Sequence, residues 1–136
     1  PPGAAASHEY ADSIKSRTLI SEHPLVRVHP ESGERVLFVS PTFLKSIVGM
    51  TPRESQMMLE MLWEHALRPE YTVRFRWVAG VFAFWDNRST AHLAPKDVFD
   101  IDEDRQMYRT ALVGDVPDGV DGERSVSVEG EPIEGI

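Results

Sequence analysis

From Tyr71 to Trp77 the chain alternates. Tyr71, Val73, Phe75 and Trp77 fall on one parity, and Thr72, Arg74 and Arg76 on the other. A period of two marks a strand with one covered face. Ala79-Gly80 interrupts the pattern, and Val81 to Trp85 resumes it as a more continuously apolar strand. Arg105 to Asp115 predicts another strand, with Arg105, Met107 and Arg109 on one face and Ala111 and Val113 continuing it. Upstream, His23–Pro30 and Arg35–Ser40 read as short strands joined by a turn around Gly33, a hairpin.

One stretch changes period. In "TPRESQMMLEMLWEHAL", Met58, Met61, Leu62 and His65 share a helical stripe, with Met57 and Leu59 beside it. Thr51 is a suitable N-cap, Pro52 suits the first helical position, and Glu54 completes a capping box. The helix is expected from Thr51 to about Leu67, ending before Pro69, with its Met/Leu stripe packed on a sheet. Methionine fills gaps in cores, so this stripe reads as packing rather than as a cofactor contact. Several short strands and one helix make a mostly β fold with one packed helix, a β-sandwich or jelly roll.

The ends read differently. The opening "PPGAAASHEYADSIKSR" has little periodicity, so residues 1–21 are expected to be a linker or mobile lid. Residues 22–116 carry the domain pattern. Residues 117–136, rich in Gly, Asp and Glu, are expected to be an extended surface tail.

Composition narrows the chemistry. A net charge of −8 without a basic cluster argues against nucleic acid and anionic membrane surfaces as partners. With no cysteine there is neither a disulfide nor a thiolate metal site, so a metal would need histidine and carboxylate ligands. No apolar run reaches membrane-spanning length and no signal peptide is visible, which makes a cytoplasmic protein the expectation.

Five histidines remain to be weighed. His8 lies in the opening segment, His23 and His29 each precede a proline, and His65 is on the helix. No two have the i, i+4 spacing of a helical zinc motif, and all four read as structural or surface residues. His92 differs, because "FAFWDNRSTAHLAP" ends a predicted strand in a polar turn and places one histidine just beyond it. Arg105 and Arg109, about 13 Å apart on one strand face, would each need an anion if that face is covered. Asp97, Asp100 or Asp104 could supply it internally. A bound carboxylate, sulfate or sulfonate could supply it from outside.

The run "WDNRSTAHLA" followed by "RQMYRTALVGD" resembles the C-terminal half of the taurine dioxygenase family of iron(II)/2-oxoglutarate enzymes. The shared pattern is Trp-Asp-Asn-Arg, three residues, His, and then Arg-x-x-x-Arg on the next strand. "HPLVRVHPESGERVLFV" and "RPEYTVRFRWVAGVFAFWDNR" extend the likeness to about residues 22–116. The resemblance implies part of a double-stranded β-helix, or jelly roll. It implies Fe(II), 2-oxoglutarate and O2, a small anionic organic substrate, and a homo-oligomer, dimer or tetramer. It implies that His92 is a metal ligand, that Arg105 binds 2-oxoglutarate and that Arg109 binds the substrate's anionic group. Trp85 to Arg88 would shape the turn that aims His92, with Asp86 and Asn87 holding backbone groups.

The chain departs from the family pattern in having no His-x-Asp, the family's first metal motif, and in carrying Gly80-Val81 where members often have Gly-Asp. It thus holds one of three protein ligands. Two function classes follow. The first is the C-terminal part of a dioxygenase for an alkyl sulfate or a sulfonate such as taurine, with the long acidic tail leaning toward alkylsulfatase-type members. The second is a non-catalytic β-sandwich module that binds a small anion or a partner protein.

Overall fold

The computed structural model describes residues 19–93 and 107–135. The chain divides into two compact units: residues 1–35 with 105–136, and residues 36–104.

The first unit is held by short strands from the two ends of the described chain. β1 (Ile20–Glu22) pairs antiparallel with β4 (Val126–Glu129), in register Ile20↔Glu129, Ser21↔Ser127 and Glu22↔Val126, with an irregularity between Ile20 and Ser21. β2 (Val26–Val28) and β3 (Arg35–Leu37) form the expected hairpin. His29 N–H donates to Glu34 O at 2.8 Å, and Gly33 closes the turn at φ +72°, a backbone that suits glycine. Part of the expected tail is therefore a strand. Alternation is short there, Val126-Ser-Val-Glu129, and pairing with β1 rather than hydrophobicity makes it one.

The second unit carries α1 (Pro52–Ala66). Thr51 caps it as expected: its Oγ1 accepts Glu54 N–H, and Glu54 Oε2 accepts Thr51 N–H at 2.9 Å. The Thr51 hydroxyl donates to Glu54 Oε2 at 2.6 Å, and that bond, followed by the one from Thr51 N–H, holds the Glu54 carboxyl below its ordinary pKa. The covered face lies one step around from the expected stripe. Ser55 is buried, Met58, Leu59, Leu62, Trp63 and Ala66 are half-buried, and Met61 and His65 are exposed. Ser55 leads that face because its Oγ accepts Ile47 N–H at 2.7 Å, tying the preceding loop to the helix.

The strands expected at Tyr71–Trp77 and Val81–Trp85 are not in a ladder. Pro69–Tyr71 is a 3-10 turn, and residues 72–78 and 81–86 run without regular structure. Phe82 is 87% exposed and Phe84 is 94% exposed. A strand exists only where a neighbour accepts its backbone hydrogen bonds, and none among the described residues does so here. The alternation still shows in space, since Phe75 and Trp77 meet edge to face at 5.1 Å.

Among the described residues no apolar side chain is fully buried, and the buried residues that are polar or charged are Arg27, His29, Ser55 and Ser125.

Candidate active site

The turn before His92 is built by one side chain. Asp86 Oδ1 accepts Arg88 N–H at 2.8 Å, an Asx turn. The Asp86 carbonyl accepts Ser89 N–H at 3.2 Å, Thr90 N–H at 2.9 Å and the Thr90 hydroxyl at 2.7 Å. Arg88 folds back on the same carboxylate, with Nε 2.9 and 3.0 Å from its two oxygens and Nη2 2.6 Å from Oδ2. A guanidinium spent in this way braces the turn and is not available to a ligand. Asn87 does not hold backbone. Its Oδ1 accepts the Trp85 indole N–H at 3.0 Å and fixes the ring. That ring lies 4.9 Å from the His92 imidazole, tilted by 49°. Trp85 thus orients His92 from one side and the Asp86 turn positions its backbone. The Thr90 hydroxyl is a member of this device that the spacing did not single out, although Asp four residues before Thr is a recognisable pairing.

His92 is exposed, and among the described residues no hydrogen bond engages its ring nitrogens. A metal ligand needs such a free lone pair. Among the described residues no group of three or more histidines, aspartates or glutamates is placed to hold a metal ion. The donor set therefore fits one ligand of an iron site, not a whole site.

The arginine face expected over 105–115 is not a strand face among the described residues. Arg105 lies outside the described residues, as do Asp97, Asp100 and Asp104. Residues 107–114 are in no strand, and Arg109 is exposed together with Met107 and Val113. The pattern located an inward face, but a face is inward only when something packs on it. Arg109 belongs to the first unit and His92 to the second.

Among the described residues the buried guanidinium is that of Arg27, at 3% exposure, whose Nη2 meets Asp115 Oδ2 at 2.5 Å. Nothing in the alternation of "LVRV" marks Arg27 as buried. Only its position between two apolar neighbours hints at a partner.

His23 and His29 have structural contacts, and His8 lies outside the described residues. His29-Pro30-Glu31 has a histidine–carboxylate spacing that sequence reading passed over, with Glu in place of Asp. His29 is buried, and its Nδ1 accepts the Glu31 and Ser32 N–H groups at 3.3 and 3.2 Å, capping the hairpin turn. His23 Nδ1 lies 2.8 Å from Ser125 Oγ, which donates to Pro117 O at 3.2 Å. Partial burial lowers the His23 pKa. Asp118, paired with Arg124 at 2.7 Å, is held below the usual carboxylate range by that hydrogen bond, and Arg124 is raised by its partner.

The family model described as "Taurine catabolism dioxygenase TauD, TfdA family" matches residues 4–111. The chain belongs to this family of dioxygenases. It is 48% identical over 105 residues to an "Alpha-ketoglutarate-dependent sulfate ester dioxygenase" of Pseudomonas putida, covering 77% of this chain and 34% of that protein. It is 42% identical over 102 residues to an "Alkylsulfatase" of Acinetobacter baylyi, covering 75% of this chain and 31% of that protein. A crystal structure of a taurine dioxygenase from Burkholderia xenovorans superposes with a TM-score of 0.79 at 74% identity, over 82% of this chain and 40% of that one. The chain therefore spans about a third of the curated relatives it matches.

Proposed function

We propose that this chain is the C-terminal part of an iron(II)- and 2-oxoglutarate-dependent dioxygenase that hydroxylates a small anionic substrate, an alkyl sulfate or a sulfonate. The observation that carries this reading is the Asp86 turn. Five side chains and a carbonyl cooperate to hold one imidazole in a set orientation with its nitrogens unengaged. Similarity to a sulfate ester dioxygenase and an alkylsulfatase supports the substrate class. The complete domain is a jelly roll, and the uncovered parity at Phe82 and Phe84 is what such a strand turns toward sheets formed elsewhere in the protein.

Each residue has one task in this reading. His92 supplies a nitrogen lone pair to the metal, with Trp85 limiting its ring rotation. Arg105 binds the far carboxylate of 2-oxoglutarate, and Arg109 binds the sulfate or sulfonate through its planar fork. Bound iron(II), with 2-oxoglutarate and O2, supplies the oxidation of a C–H bond. Hydroxylation of the carbon that bears the sulfate leaves a product that collapses to an aldehyde and sulfate. The arginine holds that carbon in place and the aromatic residues exclude water.

The test uses the complete protein that contains this chain. His92→Ala should abolish iron retention, measured by metal analysis after gel filtration, together with turnover. Arg105→Ala should raise the 2-oxoglutarate requirement with every substrate, and Arg109→Ala the KM of the anionic substrate alone. Each lost bidentate contact should change affinity roughly 30- to 1000-fold. Normal iron content and activity in His92→Ala would reject the reading.

A further inference from the structure

A metal-bound histidine is ordinarily aimed by a hydrogen bond to its second ring nitrogen. Among the described residues neither nitrogen of His92 has one, and the ring's restraint is its tilted contact with Trp85, at 4.9 Å and 49°. The imidazole plane is therefore only as well defined as the indole plane beside it.

One hydrogen bond defines the indole. Asn87 Oδ1 accepts Trp85 Nε1–H at 3.0 Å. Trp85 is 37% exposed, so water could satisfy that N–H, and burial does not require the bond. Its consequence is orientational. The outer side-chain torsion of tryptophan is broad and roughly two-fold. A half-turn about it would carry Nε1 away from Asn87, so the bond selects one ring placement over the other. Asn87 has no second task among the described residues, where it makes no other hydrogen bond. The backbone of the turn is held by Asp86 and Thr90, and the exposed Asn87 side chain stands outside that set of bonds. The two jobs are separate: Asp86 folds the turn, and Asn87 sets a ring.

We propose that Asn87 is a positioning residue of the iron site: by fixing the Trp85 indole it fixes the plane of the His92 imidazole, and so raises affinity for the metal while contributing little to folding. This rests on the reading of His92 as a metal ligand. Asn87 touches neither metal nor substrate and acts only through Trp85.

The test uses the complete protein freed of iron, with Co(II) as the probe and the melting temperature of the metal-free form recorded for every variant. Asn87→Leu should weaken Co(II) binding roughly threefold to tenfold, less than the loss of a hydrogen bond made directly to a ligand histidine. Its melting temperature should stay within about 2 °C of the parent, as for a surface substitution. With fluorotryptophan incorporated, the fluorine resonance of Trp85, assigned by its disappearance in Trp85→Phe, should broaden or split. Trp85→Phe keeps a ring beside His92 but offers Asn87 no N–H, so Asn87→Leu should add nothing in that background. Asn87→Ala should repeat the result if leucine disturbs the turn. Unchanged Co(II) affinity in both Asn87 variants, or a loss that adds in full to that of Trp85→Phe, overturns the proposal and leaves the reading of His92 standing. If His92→Ala binds Co(II) as the parent does, the reading of His92 fails and takes the proposal with it.

Discussion

The knot around Arg27 and the aromatic run from Tyr71 to Trp85 invert the usual expectation. The knot is charged and polar, yet Arg27, His29 and Ser125 are buried. The run is the most hydrophobic stretch of the chain, yet Val73, Phe82 and Phe84 stand in the open. Burial follows from partners rather than from hydrophobicity alone. Arg27 has Asp115, His29 has two backbone N–H groups, and Ser125 has His23 and Pro117. Each of these contacts offsets part of the cost of desolvation, although Arg27 Nε and Asp115 Oδ1 are buried without a hydrogen-bond partner among the described residues. The aromatic run has the right alternation and no neighbouring strand among the described residues, so it gains nothing from it.

The largest effect that could break this contrast comes from removing one partner on each side. Arg27→Met leaves Asp115 partly buried and unpaired and should cost about 3–5 kcal/mol. That cost should be the same in this chain alone as in the complete protein, because both partners lie within it. Phe84→Ala should cost under about 0.5 kcal/mol in the isolated chain. In the complete protein it should cost about 3–5 kcal/mol, as a core phenylalanine does. Urea unfolding of both variants in both contexts measures this. An equal Phe84 cost in the two contexts would mean that nothing else covers the run.

A smaller effect belongs to the site turn. Asp86→Ala removes the acceptor of Arg88 N–H and the partner of the Arg88 guanidinium, while the Asp86 carbonyl keeps its own bonds. A loss of about 1–2 kcal/mol is expected. It should be accompanied by a change in Trp85 fluorescence as the His92 contact loosens. Unchanged fluorescence would mean that Asn87 alone holds the indole.

The smallest effect is a pH dependence at the edge of the knot. Burial lowers the His23 pKa, so the folded chain binds fewer protons there than the unfolded chain does. Stability from this group is constant above the ordinary histidine pKa and falls as pH drops from there through the lowered value. His23→Gln should remove that slope, shifting the melting temperature at pH 5.5 by no more than about 2 °C. A slope of opposite sign would mean that protonation strengthens the Ser125 contact.

Much of the site was legible because it is local. "WDNRSTAH" contains the whole turn: the acid, its Arg two residues on, the Thr four residues on and the histidine it presents. The helix was legible for the same reason, since Thr51 and Glu54 meet across three residues. The exposed state of Arg109 was not. Alternation says which residues share a face, but it is silent on whether anything lies against that face.

Sequence by itself determined the α1 cap, the Gly33 hairpin, the Asp86 turn and the family, because each depends on residues a few positions apart or on an ordered set of motifs. Tertiary structure alone decided that, among the described residues, the guanidinium of Arg27 is buried and that of Arg109 is exposed. It also decided that His23 meets Ser125, and that a segment of the acidic tail becomes β4 against β1. Arg27 and Asp115 are 88 residues apart, and His23 and Ser125 are 102 apart. No local pattern encodes such pairings, because the loop between the partners contributes only a slowly varying closure entropy and no directional signal. The pairing is set by which polar groups can be satisfied when the ends of the chain meet.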